Sequence, residues 1–449
     1  ITEGMALQQK MSSLCSAEII PVIEKLLSPY TPLKGHVYID RLEIDLGTFQ
    51  SDALEYKLAE VFKEKLAALL SETSLQSAVH PGGIEINTSE NQFRFTDEVS
   101  SFVTALIYFL RSGVLPWTFQ LPEGKNLNEV LGEILKGPAR EMVLYHLKES
   151  LHHPMVARRL ALQFQETIVL DILQYVSPAM ASNVEKLFHA FSYPPYLSFR
   201  AKILEAACCF SAEQNTISSQ GDILFLAISL LQSDSKVTLQ QEINTILETA
   251  QKHHLDTRPT DLEKAHARQD RSIMPRSAPA LIPNETSGTY IDNAGLILLH
   301  PFLPALFEGT GITQENKIKD PFRALFLLHY LCTGQQEAPE YDLTFSKIIC
   351  GIPVEDPVPS QAILPSEDIA EADALLSAAI RHWSILQNTS HDGLRGTFLL
   401  RRGKLTTAFD GGWLLQVERQ SVDILLDHLP WGIGMVKLPW LPQLIHVEW

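Results

Sequence analysis

The residues that could do chemistry in this chain are few and loosely grouped. His146, Glu149 and His153 stand at i, i+3 and i+7, the spacing at which one unbroken helix face offers three ligands to a metal-dependent hydrolase. Pro154 ends that helix beside His153, and histidines in a last turn are favourable against the helix dipole with no metal present. Ser390, His391 and Asp392 have triad side chains, but neighbours in sequence diverge in space, so a helix cap is the expected role of Ser390. Asp423 and Asp427, one turn apart, are expected on a solvated face rather than as acid and base. The chain contains no GxxxxGK[ST], HExxH or GxGxxG run. The residues therefore point to no catalytic group, no metal and no other cofactor.

Composition narrows the partners. The chain has 449 residues, 45% of them hydrophobic and 20% charged, with a formal net charge of −17, values ordinary for a globular protein of two or three domains. An acidic chain without a long Lys/Arg run is a poor match for nucleic acid or an anionic membrane surface. The longest nearly unbroken apolar stretches, Phe102 to Leu110 and Ile223 to Leu231, are about half of what a membrane span needs. No signal peptide is visible, and a start at Ile1 leaves a preceding segment open. Five cysteines without a CxxC pair read as free thiols in a reducing compartment.

The elements that must position any site follow from periodicity. His36 to Gly47 alternates as a strand does, with a slip of phase near Asp40 and Arg41 that implies a bulge, a bend or two strands. Asp52 and Glu55 form a capping box for an amphipathic helix, Pro81 to Phe95 reads as turn and short strand, and Thr96 or Asp97 caps a mostly buried helix that closes at Gly113. From about Asn126 to Gln251, helical patterns follow one another without a fixed period, the last capped by Thr238. Lys252 to Thr289 carries four prolines and eleven charged residues and reads as a linker. Tyr290 to Phe307 then predicts an apolar elbow: a short helix capped by Asp292 or Asn293 stops at His300, and a second begins at Pro301. Further helices are predicted from Asp320 to Gly334, up to Gly351, around Ala372 to Leu386 and around Val422 to Leu429. Leu405 to Val417 reads as a hairpin about Asp410-Gly411-Gly412, and Pro439 as the mark of an edge strand.

The fold class expected is α+β, mainly α. An irregular multi-helix N-terminal region with a short strand unit precedes a C-terminal helical domain ending in a small Trp-rich β unit. The expected divisions are 1–95, 96–251, 252–289 as linker, and 290–449. Five of the six tryptophans lie in the last 67 residues, and Leu-Pro-Trp occurs at 115–117, 429–431 and 438–440. Core packing explains such indoles, and Trp431, Trp440 and Trp449 are also the candidate contacts for a protein partner.

Several ordered motifs, NAGLILLHPFLPALF, HYLCTG, CGIPVEDPV, HWSILQNTSHDGLRGTFLLRRG and the terminal LPW and VEW, resemble the contractile injection system tape measure family. VYIDRLEIDLG and FLRSGVLPW near the N-terminus are similar to it as well. The signature positions are Leu115, Pro116, Trp117, Asn293, Gly295, His300 and Pro301. The resemblance implies a non-enzymatic structural component of a phage-tail-like particle, involved in tube assembly or length control. Its implied partners are tube, baseplate or cap proteins and an assembly ATPase; it would be cytoplasmic during assembly or incorporated into the released particle. A compact adaptor, or a cargo or toxin carried by the particle, is the alternative. With 26 prolines, the chain cannot form one continuous helix, which at about 1.5 Å per residue would reach roughly 670 Å.

Overall fold

Capping and apolar periodicity account for most of the elements. The computed structural model describes residues 11, 14–28, 36–39, 42–49, 54–72, 85–87, 92–192, 196–212, 219–234, 240–255, 288–386 and 388–449. The expected caps at Asp52 and Thr238 and nearly all of the 252–289 segment lie outside these residues. The chain divides into two compact units, Ile1–Thr104 and Ala105–Trp449.

In the first unit, helices α1 (Ile20–Leu27) and α2 (Leu54–Glu72) accompany strands β1 (His36–Ile39), β2 (Glu85–Asn87) and β3 (Gln92–Thr96). The strands form an antiparallel sheet in the order β1-β3-β2. The alternating stretch stops being a strand at Ile39, and residues 42–49 have no regular structure. Leu66 and Leu70 of α2 are buried against Ile23, Leu26, Ile44 and Phe62.

Helix α3 (Glu98–Ser112) straddles the division. Asp97 caps it, its carboxylate accepting from the amides of Val99 and Ser100. The second unit continues with α4 (Leu127–Ile134), α5 (Arg140–Ser150), α6 (Pro154–Gln163), α7 (Glu166–Val176), α8 (Pro178–Ala190), α9 (Leu197–Ser211), α10 (Gln220–Asp234) and α11 (Gln240–Lys252). Asn126 and Glu129 make the capping box of α4, and Pro154 and Pro178 open α6 and α8, where a missing N–H costs little.

The remainder begins with β4 (Thr289–Ile291) and a 3-10 turn, Ala294–Leu299, whose six residues are all buried. Then follow α12 (Leu303–Gly309), the two-stranded β5 (Thr313–Gln314) and β6 (Lys317–Ile318), α13 (Pro321–Thr333), α14 (Thr344–Cys350), α15 (Ser366–His382) and α16 (His391–Leu394). Strands β7 (Gly403–Thr407), β8 (Trp413–Val417), β9 (Met435–Val436) and β10 (Ile445–Glu448) close the chain. Asp320 caps α13 and Gly334 ends it in the left-handed region, as its sequence predicts. Phe307, Phe326 and Phe345 are fully buried in this core, each worth roughly 1.5–3 kcal/mol of transfer free energy.

The elbow is present, built differently from the sequence expectation. His300 keeps helical dihedrals, φ −51° and ψ −35°, in spite of the following proline, and the restart comes at Leu303, with Pro304 in the first turn instead of Pro301. Asn293 does not cap with its side chain; its amide donates to the Asp342 carbonyl, 3.2 Å away. Gly295 is required by close approach: a Cβ there would lie 1.7 Å from the Phe398 carbonyl oxygen.

The terminal sheet runs β4-β7-β8-β10-β9. The expected hairpin is β7–β8, antiparallel, and β10 lies parallel to β8 in the sheet interior. Pro439 marks no edge strand: it lies outside the strands, and β9, paired with β10, forms that edge. Residues Ser421–His428, expected as a helix, form a helix of the 3-10 type.

Candidate functional site

Three buried side chains make the most concentrated polar feature of the second unit. Arg159 and Gln163 stand one turn apart on α6; Glu340 opens the 3-10 turn Glu340–Leu343, and Lys347 follows on α14. Arg159 and Glu340 are 0% exposed and Lys347 is 1% exposed. The Glu340 carboxylate accepts from Arg159 Nε at 2.8 Å and Nη2 at 3.1 Å, and from Lys347 Nζ at 2.6 Å. Two cations against one carboxylate leave positive charge over, and main-chain carbonyls take it up. Arg159 donates to Leu110 O at 2.7 Å and Glu355 O at 2.6 Å, and Lys347 donates to Val354 O and Asp356 O, both at 2.8 Å.

Gln163 completes the clamp, donating to Val358 O at 2.6 Å and accepting from the Glu340 amide at 2.9 Å. Burial pushes the Lys347 ammonium below its ordinary value while Glu340 pulls it back up. Gly113, at φ +83°, lets the chain turn against the cluster: a Cβ would meet Glu340 Oε1 at 2.5 Å. The segment held this way, 354–358, is part of the CGIPVEDPV motif. With each ionic group held by hydrogen bonds inside the protein, the cluster acts as a joint.

The residues singled out by sequence are not brought together as a catalytic centre. His146 and Glu149 lie on α5, while His153 is the extended N-cap residue of α6, so the three do not share a helix face. Among the described residues, no group of three or more His, Cys, Asp or Glu side chains is placed to hold a metal. Ser390 caps α16 through the Gly393 amide, as expected. Asp423 is not on a solvated face: it pairs bidentately with buried Arg401 at 2.7 and 2.9 Å and accepts from the Trp449 indole at 3.1 Å.

One constellation escaped the sequence reading. Ser377 Oγ lies 2.8 Å from His391 Nε2, and Asp373 Oδ1 lies 3.6 Å from His391 Nδ1. The order Ser, His, Asp is that of a nucleophile, its base and an orienting carboxylate. Ser377 is in mid-helix, where neighbouring amides are bonded within α15, and Arg395 is engaged by Leu331 O, Tyr330 O and Asp392. Asp373 also accepts from Tyr330 at 3.1 Å, which makes the trio a surface hydrogen-bond network.

The C-terminal tryptophans are anchored inward. Trp431 donates to Leu298 O at 3.0 Å and packs edge-on against Phe302; Trp440 donates to Ile349 O at 2.8 Å and lies against Phe307. They therefore brace the elbow. The opposite case is the outer face of the sheet, where the register aligns Tyr290, Lys404, Gln416 and Glu448 in one row and Thr406, Leu414, His446 and Met435 in the next. Tyr290 is 56% exposed and Met435 62%, with the ring of Trp117, 62% exposed, tilted against Tyr290 at 6.4 Å and Phe409, 96% exposed, beside His446. Thus Trp117 of the signature set is a surface residue, whereas Asn293 and Gly295 are buried.

The second unit combines a mainly helical body, a small terminal sheet, a glycine-fitted elbow and a buried cluster of hydrogen-bonded ionic groups. The family model for the contractile injection system tape measure protein matches residues 1–449, and the chain belongs to that family. No curated protein and no solved structure matches it.

Proposed function

We propose that this chain acts as a folded assembly adaptor of a contractile injection particle, joining tube, baseplate or cap proteins with the help of an assembly ATPase, and that it does not set tube length by spanning the tube. The supporting observation is how little of the described chain is extended. The longest helix among the described residues, α2, has 19 residues and reaches about 28 Å at roughly 1.5 Å per residue. From Ala105 onward the described elements fold back into one unit. No helix among the described residues is long and apolar enough to cross a membrane.

Partner contacts then fall to exposed apolar side chains. Trp117 and Tyr290 on the open sheet face are the most accessible aromatic pair, and the half-buried rings of Trp431, Trp440 and Trp449 are further candidates. Deleting the gene tests the reading. The expected result is a loss of assembled particles on electron microscopy; particles unchanged in number and length would contradict it.

A further inference from the structure

The clamp lies between two stretches of chain that are far apart in sequence. Arg159 and Gln163 belong to the helical stretch described as far as Leu255, while Glu340, Lys347 and the carbonyls of 354–358 belong to the stretch described from Gly288 onward. The junction is more than this one cluster. The Phe109 ring meets Tyr341 edge-on at 5.6 Å and Phe164 at 6.4 Å, so an aromatic contact flanks the ion cluster on the same seam. Trp117 against Tyr290 is a third contact between the same two stretches.

We propose that residues 105–255 and 288–449 carry complementary docking surfaces that hold without a covalent connection: the surface around Arg159 and Gln163 has the 338–358 segment as its specific partner, and the two stretches form one cooperative folding unit. Separation of the two stretches would expose the ion cluster. Arg159, Glu340 and Lys347 make their hydrogen bonds to one another and to carbonyls across or beside the seam. Pulling the surfaces apart would strand ionic groups in apolar surroundings or force both surfaces to rehydrate together. Each surface is therefore incomplete alone. The arrangement also selects its partner, since a surface lacking a carboxylate at the position of Glu340 leaves Arg159 unpaired. The consequence for assembly is that partners bound to either stretch are carried by the same body.

The test uses the full chain with a site-specific protease sequence placed between Asp270 and Arg271. The protein is purified intact and folded, then cut. We expect both fragments to co-elute in gel filtration at physiological salt, and hydrogen exchange to show Val143–Leu173 and Ala324–Cys350 opening in one transition as urea is raised. The cut Glu340→Gln protein should separate at a lower urea concentration than the cut wild type, and Glu355→Gln, which leaves its main-chain carbonyl in place, should behave as wild type. Separation of the wild-type fragments in buffer, or opening of the two stretches at distinct urea concentrations, would overturn the proposal. Equal behaviour of the cut Glu340→Gln and wild-type proteins would overturn the role given to the clamp.

Discussion

The seam at Arg159 and the outer face of the terminal sheet use polar and aromatic residues in opposite ways. At the seam, three ionic side chains are fully enclosed and every charge has a partner, while on the sheet face aromatic and apolar side chains stand in solvent. Residue type alone would have assigned them the other way round, with the charges as chemistry and the aromatics as core. Connectivity and register decide the matter. Arg159 faces inward because Val156, Leu160 and Gln163 share its helix face, and Tyr290 faces outward because Ile291, its neighbour on the strand, faces the core.

The contrast can be broken first at its tightest buried contact. Gly295→Val places a branched side chain where even a Cβ would sit 1.7 Å from the Phe398 carbonyl oxygen. We expect no soluble folded Ala105–Trp449 unit, scored by expression and circular dichroism. Arg159→Ala should come next: removing one member of a buried ionic cluster costs about 3–5 kcal/mol. Urea unfolding followed by tryptophan fluorescence measures it.

His329 sharpens the buried side in another way. Burial lowers its pKa to about 4, against an ordinary value of 6.5, with a backbone hydrogen bond at Glu337 opposing the shift. The stability contributed by the neutral ring is fully present above pH 6.5 and is lost as pH falls toward 4, by about 2–4 kcal/mol. His329→Gln should flatten that slope in urea unfolding across pH 7 to 4. The smallest effect is expected on the open face. Trp117→Ala should change stability by less than about 0.5 kcal/mol, whereas Trp440→Ala, which removes the brace on Phe307 and the bond to Ile349 O, should cost about 2–4 kcal/mol. Equal losses for the two tryptophans would erase the distinction between brace and exposed surface.

Much of the fold was legible because local signals and tertiary structure agree. Asp97, Asp320 and Ser390 cap where their spacing says, and the hairpin about Asp410-Gly411-Gly412 follows from its alternation. The elbow was legible as a break but not in its details. The helical dihedrals of His300 are set by the buried turn around it, which overrides the local bias before proline. Gly295 could be singled out by family resemblance, but the carbonyl of Phe398 that demands it comes from about a hundred residues away.

The seam left a fainter trace. Arg159 and Gln163 occupy stripe positions beside Val156 and Leu160, and Glu340 and Lys347 are spaced i, i+7, so charged residues on apolar faces were the available signal. Their pairing across 181 positions was not. The Ser377, His391 and Asp373 trio was hidden for the same reason, and His391 drew attention with the wrong neighbours.

The central claim is that the protein acts as a folded body rather than as an extended ruler. It is tested most directly by electron microscopy of particles assembled with a chain in which residues 256–287 are duplicated. A ruler lengthened by these 32 residues would extend the tube by about 48 Å as helix or by about 105–115 Å if stretched. The account predicts tubes of unchanged length; a shift of the length distribution toward either value would contradict it.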